Sequence, residues 1–184
     1  GQGWGAIAFV REGHNDKASS TTMTITVQID AGTTVVVCTS LGSAATQTIV
    51  SVLDNNAVAY DFAGTSHFST TEKTWCYTKL NAPAATSIVW IWGVASVSNG
   101  VAAVYSGVDT IGTPPNAVGD TTGSSTNPSV SVTTQDANNY VVAVITTNGS
   151  GTITQENGTP RLSNFAGAQG SRFITALDNT AASP

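Results

Sequence analysis

Charge is what this sequence has least of. Lys, Arg, Asp and Glu make up 9% of its 184 residues, against about 25% in an ordinary soluble domain. The six basic residues stand singly and the net charge is −5. With no basic stripe and no aromatic–basic interleaving, nucleic acid is excluded as an expected partner. No apolar run approaches the roughly 18 residues of a membrane-spanning helix, so no membrane span is expected. No segment repeats its apolar residues at helical spacing. Histidine is limited to His14 and His67, both in polar, loop-like sequence with no nucleophile or metal-ligand spacing beside them. Glu12, Glu72 and Glu156 are isolated, so paired-carboxylate hydrolysis has no local signature. The expectation is a non-enzymatic protein with no catalytic residue and no cofactor. Asp54-Asn55-Asn56, Asp109, Asp120, Asp136 and Asp178 read as turn residues, and only a structural Ca²⁺ held by such loops stays open.

Cysteine is equally scarce. Cys38 and Cys76 sit on separate candidate strands. They read either as one disulfide of an oxidising compartment or as two small buried apolar side chains. Two Cys with no nearby His do not make a metal site. The sequence opens Gly-Gln-Gly rather than with Met. That reads as removal of an upstream portion or as a piece of something longer.

What is present is β chemistry. Hydrophobic residues reach 40%, enough for one domain with a proper core, and Thr, Ser, Asn, Gln and Gly must supply the surface. Such a neutral, hydrogen-bonding surface suits an extracellular or virion-surface protein, or subunits packing side by side; a plain secreted domain fits as well. Met23, Ile25, Val27 and Ile29 alternate with Thr22, Thr24, Thr26 and Gln28, a half-buried strand. Thr33–Leu41 is apolar on both faces. Ile49–Leu53 and Ala57–Phe62 form a hairpin about Asp54-Asn55-Asn56, and Thr70–Leu80 carries Trp75 and Tyr77 on one face. Ile88–Asp109 reads as the central hairpin, turning at Asn99-Gly100, with Ile88, Trp90 and Trp92 on one face. Gly112–Asn127 is the longest loop-like stretch, and strands follow at Ser129–Thr134, Tyr140–Ile145, Thr152–Thr154 and Arg172–Leu177. About ten to twelve short antiparallel strands of this kind predict an all-β, two-layer sandwich of jelly-roll type. Asn148-Gly-Ser and Asn157-Gly-Thr match the glycosylation triplet, though their turn reading stands first.

Four segments together carry a resemblance: TMTITVQIDAGTTVVVCTSL, WCYTKLNAP, AAVYSGVDTIGTPP and SVSVTTQDANNYVVAVITTNG. They resemble an all-β, jelly-roll-like module recurrent in phage structural proteins and large bacterial surface proteins, often in tandem. The likeness runs from about Ser20 to Pro184 and implies fold far more than function. Members resemble one another in ending on an apolar strand of the type W-A-A-I-A-V after a turn like DNTAASP. Here the chain stops at that turn, and the matching strand stands at the other end as Trp4-Gly5-Ala6-Ile7-Ala8-Phe9-Val10.

The resemblance therefore implies an assembly strand made by Trp4, Ala6, Ile7, Ala8, Phe9 and Val10. Residues 1–11 are the complementing strand, 12–20 a linker and 21–184 the β domain. A sandwich short of a strand exposes an apolar groove and unpaired backbone, a site for strand addition. The strand folds back at home, or enters a neighbouring subunit with Arg11–Ser20 as the crossing linker, or marks an arbitrary cut in a tandem array. The implied function is a structural subunit of an extracellular or virion-surface assembly: filament, fibre or capsid decoration. Its partners are copies of itself or a capsid or fibre protein. A carbohydrate-binding module, which exposed aromatics near Gly112–Asn127 would favour, is the alternative, with glycans as partners.

Overall fold

The computed structural model describes residues 6–42, 47–63, 67–68, 72–112, 139–148, 158–165 and 172–180. The chain is all-β. Ten strands are described: β1 (Ala8–Ile29), β2 (Thr33–Gly42), β3 (Ile49–Asp54), β4 (Asp61–Phe62), β5 (His67–Phe68), β6 (Glu72–Ala82), β7 (Ala85–Ser106), β8 (Tyr140–Asn148), β9 (Thr159–Phe165) and β10 (Arg172–Thr180). Every pairing among them is antiparallel. One sheet runs β1-β7-β2-β6-β4, with β3 on β7 and β5 on β6, and a second runs β8-β10-β9.

The scaffold is the long ribbon of β1 and β7, each 22 residues. Its two ends have different neighbours. Ser98–Tyr105 of β7 lies between the first half of β1 and β2, whereas Ile88–Trp92 lies between the second half of β1 and β3. The ribbon folds back on itself, so these two ends face each other. Gly13 sits against Thr26 and Val27, and Gly100 against Met23 and Ile25; the rings of Tyr77 on β6 and Trp90 on β7 meet at 5.3 Å. Between the faces lies the main core: Met23, Ile25, Val27 and Ile29 from β1, Val35, Val37 and Leu41 from β2, and Ile88, Trp90 and Trp92 from β7. Each such side chain contributes roughly 1.5–3 kcal/mol by leaving water. The alternation of β1 is why: its Thr22, Thr24, Thr26 and Gln28 stay exposed while the residues between them are buried. The second sheet covers the opposite face of β2 and β7, where Val144, Leu162 and Phe165 pack on Cys38 and Val101. Side chains thus pack on both faces of β2 and of the part of β7 beside it.

Three sequence expectations change. Asn99-Gly100 is no turn: β7 passes straight through, both residues are buried, and Asn99 carries its carbonyl to the Thr39 hydroxyl at 3.0 Å. Gly100 is needed for close approach, since a β-carbon there would collide with the Met23 methyl and stand 2.9 Å from Ile25 Cδ1; among the described residues the positive-φ glycines are Gly32, Gly107 and Gly158. Arg11–Ser20 is no linker but part of β1, laddered to β7 from Arg11↔Val104 to Ser20↔Ser96. Asp178–Thr180 is not a turn but the end of β10, paired with Val142–Tyr140. The turn at Asp54 is as its composition suggests. Asp54 Oδ1 accepts from the Asn56 and Val58 amides at 2.8 and 3.0 Å, and the chain reverses to bridge Leu53 with Ala59. Trp4, residues 113–127, Ser129–Thr134, Thr152–Thr154, Asp120, Asp136 and Glu156 lie outside the described residues.

Candidate functional site

The candidate site is the N-terminal half of β1 and the slot that holds it. Ala6 and Ala8 are exposed; Ile7, Phe9 and Val10 are half-buried, and Val10 packs against the main core. Ala8 and Phe9 pair with Ser106 and Tyr105 of the same chain, and after an irregularity at Val10 the ladder resumes at Arg11↔Val104 and continues to Lys17↔Ser98. The segment in contact is therefore longer than the apolar run. It includes the charged stretch that lacks any hydrophobic period.

That stretch has two working faces. Towards the second half of β1, side chains two residues apart meet edge carbonyls two residues apart. Asn15 Nδ2 donates to the Thr24 carbonyl at 2.6 Å, Gly13 lies beneath the Thr26 carbonyl, and Arg11 Nη1 donates to the Gln28 carbonyl at 3.1 Å. Arg11 also pairs with Asp30 at 2.9 Å. Carbonyls at a sheet edge invite added strands, and here those of Thr24 and Gln28 accept from Asn15 and Arg11 while Gly13 packs against that of Thr26. A side chain at position 13 would lift this cover, because its β-carbon would stand 2.8 Å from that of Val27.

The other face meets the second sheet. Phe9 packs edge-on against Tyr105 at 5.8 Å, with the Arg161 guanidinium 4.2 Å from its ring centre. Tyr105 in turn meets Tyr140 at 6.0 Å. The His14 ring lies 4.4 Å from that of Phe165, with Nδ1 2.9 Å from Glu12 Oε2. His14 is thus a strand residue in an aromatic contact, not a loop histidine. Arg11, Gly13, Asn15, Arg161 and Phe165 escape a search for chemistry. Only the two-residue spacing of Arg11, Gly13 and Asn15 hints at a strand face.

Cys38 and Cys76 are directly opposite each other on β2 and β6 and form a disulfide, placed under Val144, Leu162 and Phe165 of the second sheet. Thr74 and Thr146 hydroxyls bond across the same gap at 2.9 Å. At the bend of the ribbon, the Trp92 indole N–H donates to the Ser20 carbonyl at 2.8 Å. Burial and the nearby Asp54 carboxylate push the Tyr60 phenol above its ordinary pKa, and burial raises that of Tyr77.

Among the described residues no three His, Cys, Asp or Glu come together to hold a metal ion, and no helix is long and apolar enough to cross a membrane. His67 lies on β5, opposite Thr74 of β6. At the β4–β6 edge Phe62, 52% exposed, meets Tyr77 at 5.4 Å beside the Lys79–Asp61 pair. Comparison with protein-family models, curated proteins and solved structures yields no match.

Proposed function

We propose that this chain is a non-enzymatic structural subunit of an extracellular or virion-surface assembly, held to its neighbours by β-strand complementation. The observation that carries the reading is the ladder of Ala8–Lys17 along β7. It is a whole edge strand, joined to the rest of β1 through a bend, whose removal would uncover backbone on both β7 and the second half of β1. The Cys38–Cys76 disulfide favours an oxidising compartment. A surface with so few charges lets copies pack closely without repulsion.

Size-exclusion chromatography with light scattering over a hundredfold concentration range, followed by negative-stain imaging, tests the reading. Oligomers or filaments are expected; a monomer at every concentration would refute it. A second reading, a carbohydrate-binding module, draws on exposed Phe62 flanked by Asp61 and Lys79, an aromatic surface with polar neighbours of the kind that stacks on sugars. A glycan array with wild type and Phe62→Ala separates it: signal lost in the variant favours it, and no signal in either removes it.

A further inference from the structure

We infer that Ala8–Lys17 is an exchangeable strand, which a second copy of this chain takes up in place of its own; the inference rests on the assembly reading above and specifies its joint. Of the four irregularities of the β1–β7 ladder, two adjacent ones fall where the segment ends, the others lying at Phe9/Arg11 and Thr26/Ile29. The register slips between Lys17 and Ser20 and again between Ser20 and Thr22. Ser20 pairs with Ser96 but Thr22 with Ile91, so one residue of β1, Thr21, turns the bend against four of β7, Trp92 to Ala95. Lys17, Ala18 and Ser19 are exposed there. Straightening the chain at Ala18 and Ser19 would carry the ten residues of Ala8–Lys17 about 33 Å outward at roughly 3.3 Å per residue.

The contacts that hold the segment are ones another copy offers equally. Apart from the Glu12–His14 and Asn15–Asp16 contacts, which travel with it, the contacts described for the strand are to β7, to the second half of β1, to Asp30, to β9 and, through Val10, to the main core. The closed and exchanged forms then share these contacts and differ at the hinge and in the entropy of association. The occupant is also specified. The slot requires a residue without a side chain opposite Thr26, an amide opposite Thr24, and a guanidinium reaching Gln28 and Asp30 together. The matching sequence is this segment itself. Reciprocal exchange gives a closed dimer, and head-to-tail exchange an open chain.

The test uses full-length chains carrying Ala8→Cys or Ser106→Cys, positions opposite each other at the end of the ladder. The two single variants are refolded together across a concentration series and oxidised. Cross-linked species are resolved by non-reducing electrophoresis, and the 8–106 bond is mapped by mass spectrometry. The expected result is an intermolecular 8–106 cross-link that grows with concentration and rises several-fold when Ala18 and Ser19 are deleted, since a shortened hinge favours exchange. A measurement free of new cysteines accompanies it: inserting four Gly/Ser residues after Ala18 should lower the oligomer fraction in light scattering. No response to either hinge change overturns the inference. If oligomers form while an Ala8→Cys/Ser106→Cys double variant closes only within single chains, exchange and complementation by this strand are overturned, and a structural assembly held by other surfaces survives. If the chain is monomeric throughout, both fall.

Discussion

Replacing Gly100 with Ala should destabilise the protein through the Met23 and Ile25 side chains, and this can be separated from any turn effect. Gly100 lies mid-strand in β7. A β-carbon there would overlap the Met23 methyl, lie 2.9 Å from Ile25 Cδ1 and lie 3.4 Å from the Cys38 carbonyl oxygen. Overfilling a packed core costs about 1–3 kcal/mol. Losing a strand glycine returns roughly 0.5–1 kcal/mol of backbone entropy. The net loss should be about 0.5–2 kcal/mol, or roughly 1–8 °C in Tm for a chain of this size. Met23→Ala alone removes a side chain that is 1% exposed and should cost about 2–5 kcal/mol. The informative quantity is the coupling. In the double variant the new methyl occupies space that Met23 vacated, so the two losses should be sub-additive by about 1 kcal/mol, within the range for residues in contact. Urea denaturation of the four proteins, with m-values compared, measures it. Strict additivity would refute a continuous β7 packed on β1 and would return Asn99-Gly100 to a turn.

Other expectations follow from single contacts. Replacing both Cys38 and Cys76 with Ala opens a loop of 38-residue separation and should cost about 4 kcal/mol by loop-closure entropy; calorimetry with and without reductant checks it. The Tyr60 hydroxyl is buried without a hydrogen-bond partner, so Tyr60→Phe should leave stability unchanged or raise it slightly near neutral pH. Because burial and Asp54 raise the folded phenol's pKa, the unfolded chain releases this proton first. Stability should fall as pH rises above about 10, and Tyr60→Phe should flatten that fall in denaturant midpoints measured from pH 8 to 11. Trp92→Phe strands the Ser20 carbonyl at the ribbon's bend and should cost about 1–3 kcal/mol, read as a lowered denaturant midpoint.

Much of the fold is legible where one physical demand dominates. Met23, Ile25, Val27 and Ile29 announce a half-buried strand because one face meets the core and the other meets water. Thr33–Leu41 is apolar on both faces and is buried on both faces. Trp75, Trp90 and Trp92 are core residues because no surface could accommodate them cheaply. The misreadings arise where one residue type serves two purposes. Glycine after Asn is a strong turn signal, yet at Gly100 its lack of a side chain serves close packing of two layers. REGHNDKASS has no hydrophobic period because neither face of that half-strand needs one. One side supplies polar caps to edge carbonyls, and the other carries His14 to Phe165. The site followed the same pattern. Phe9 and Val10 were visible as an apolar strand, whereas Arg11, Gly13 and Asn15 take their role only from the fold-back that places them over Gln28, Thr26 and Thr24.

On the proposed reading, the N-terminal strand is a separable piece that fills a slot in this fold. The direct measurement is to prepare residues 18–184 and titrate them with a synthetic peptide of residues 1–17, following peptide affinity and the cooperativity of the thermal transition. The account predicts that the truncated chain aggregates or melts without cooperativity. The peptide should bind it saturably and restore a cooperative transition, while a Gly13→Val peptide should fail. A truncated chain that melts as sharply as the full chain and ignores the peptide would contradict the account.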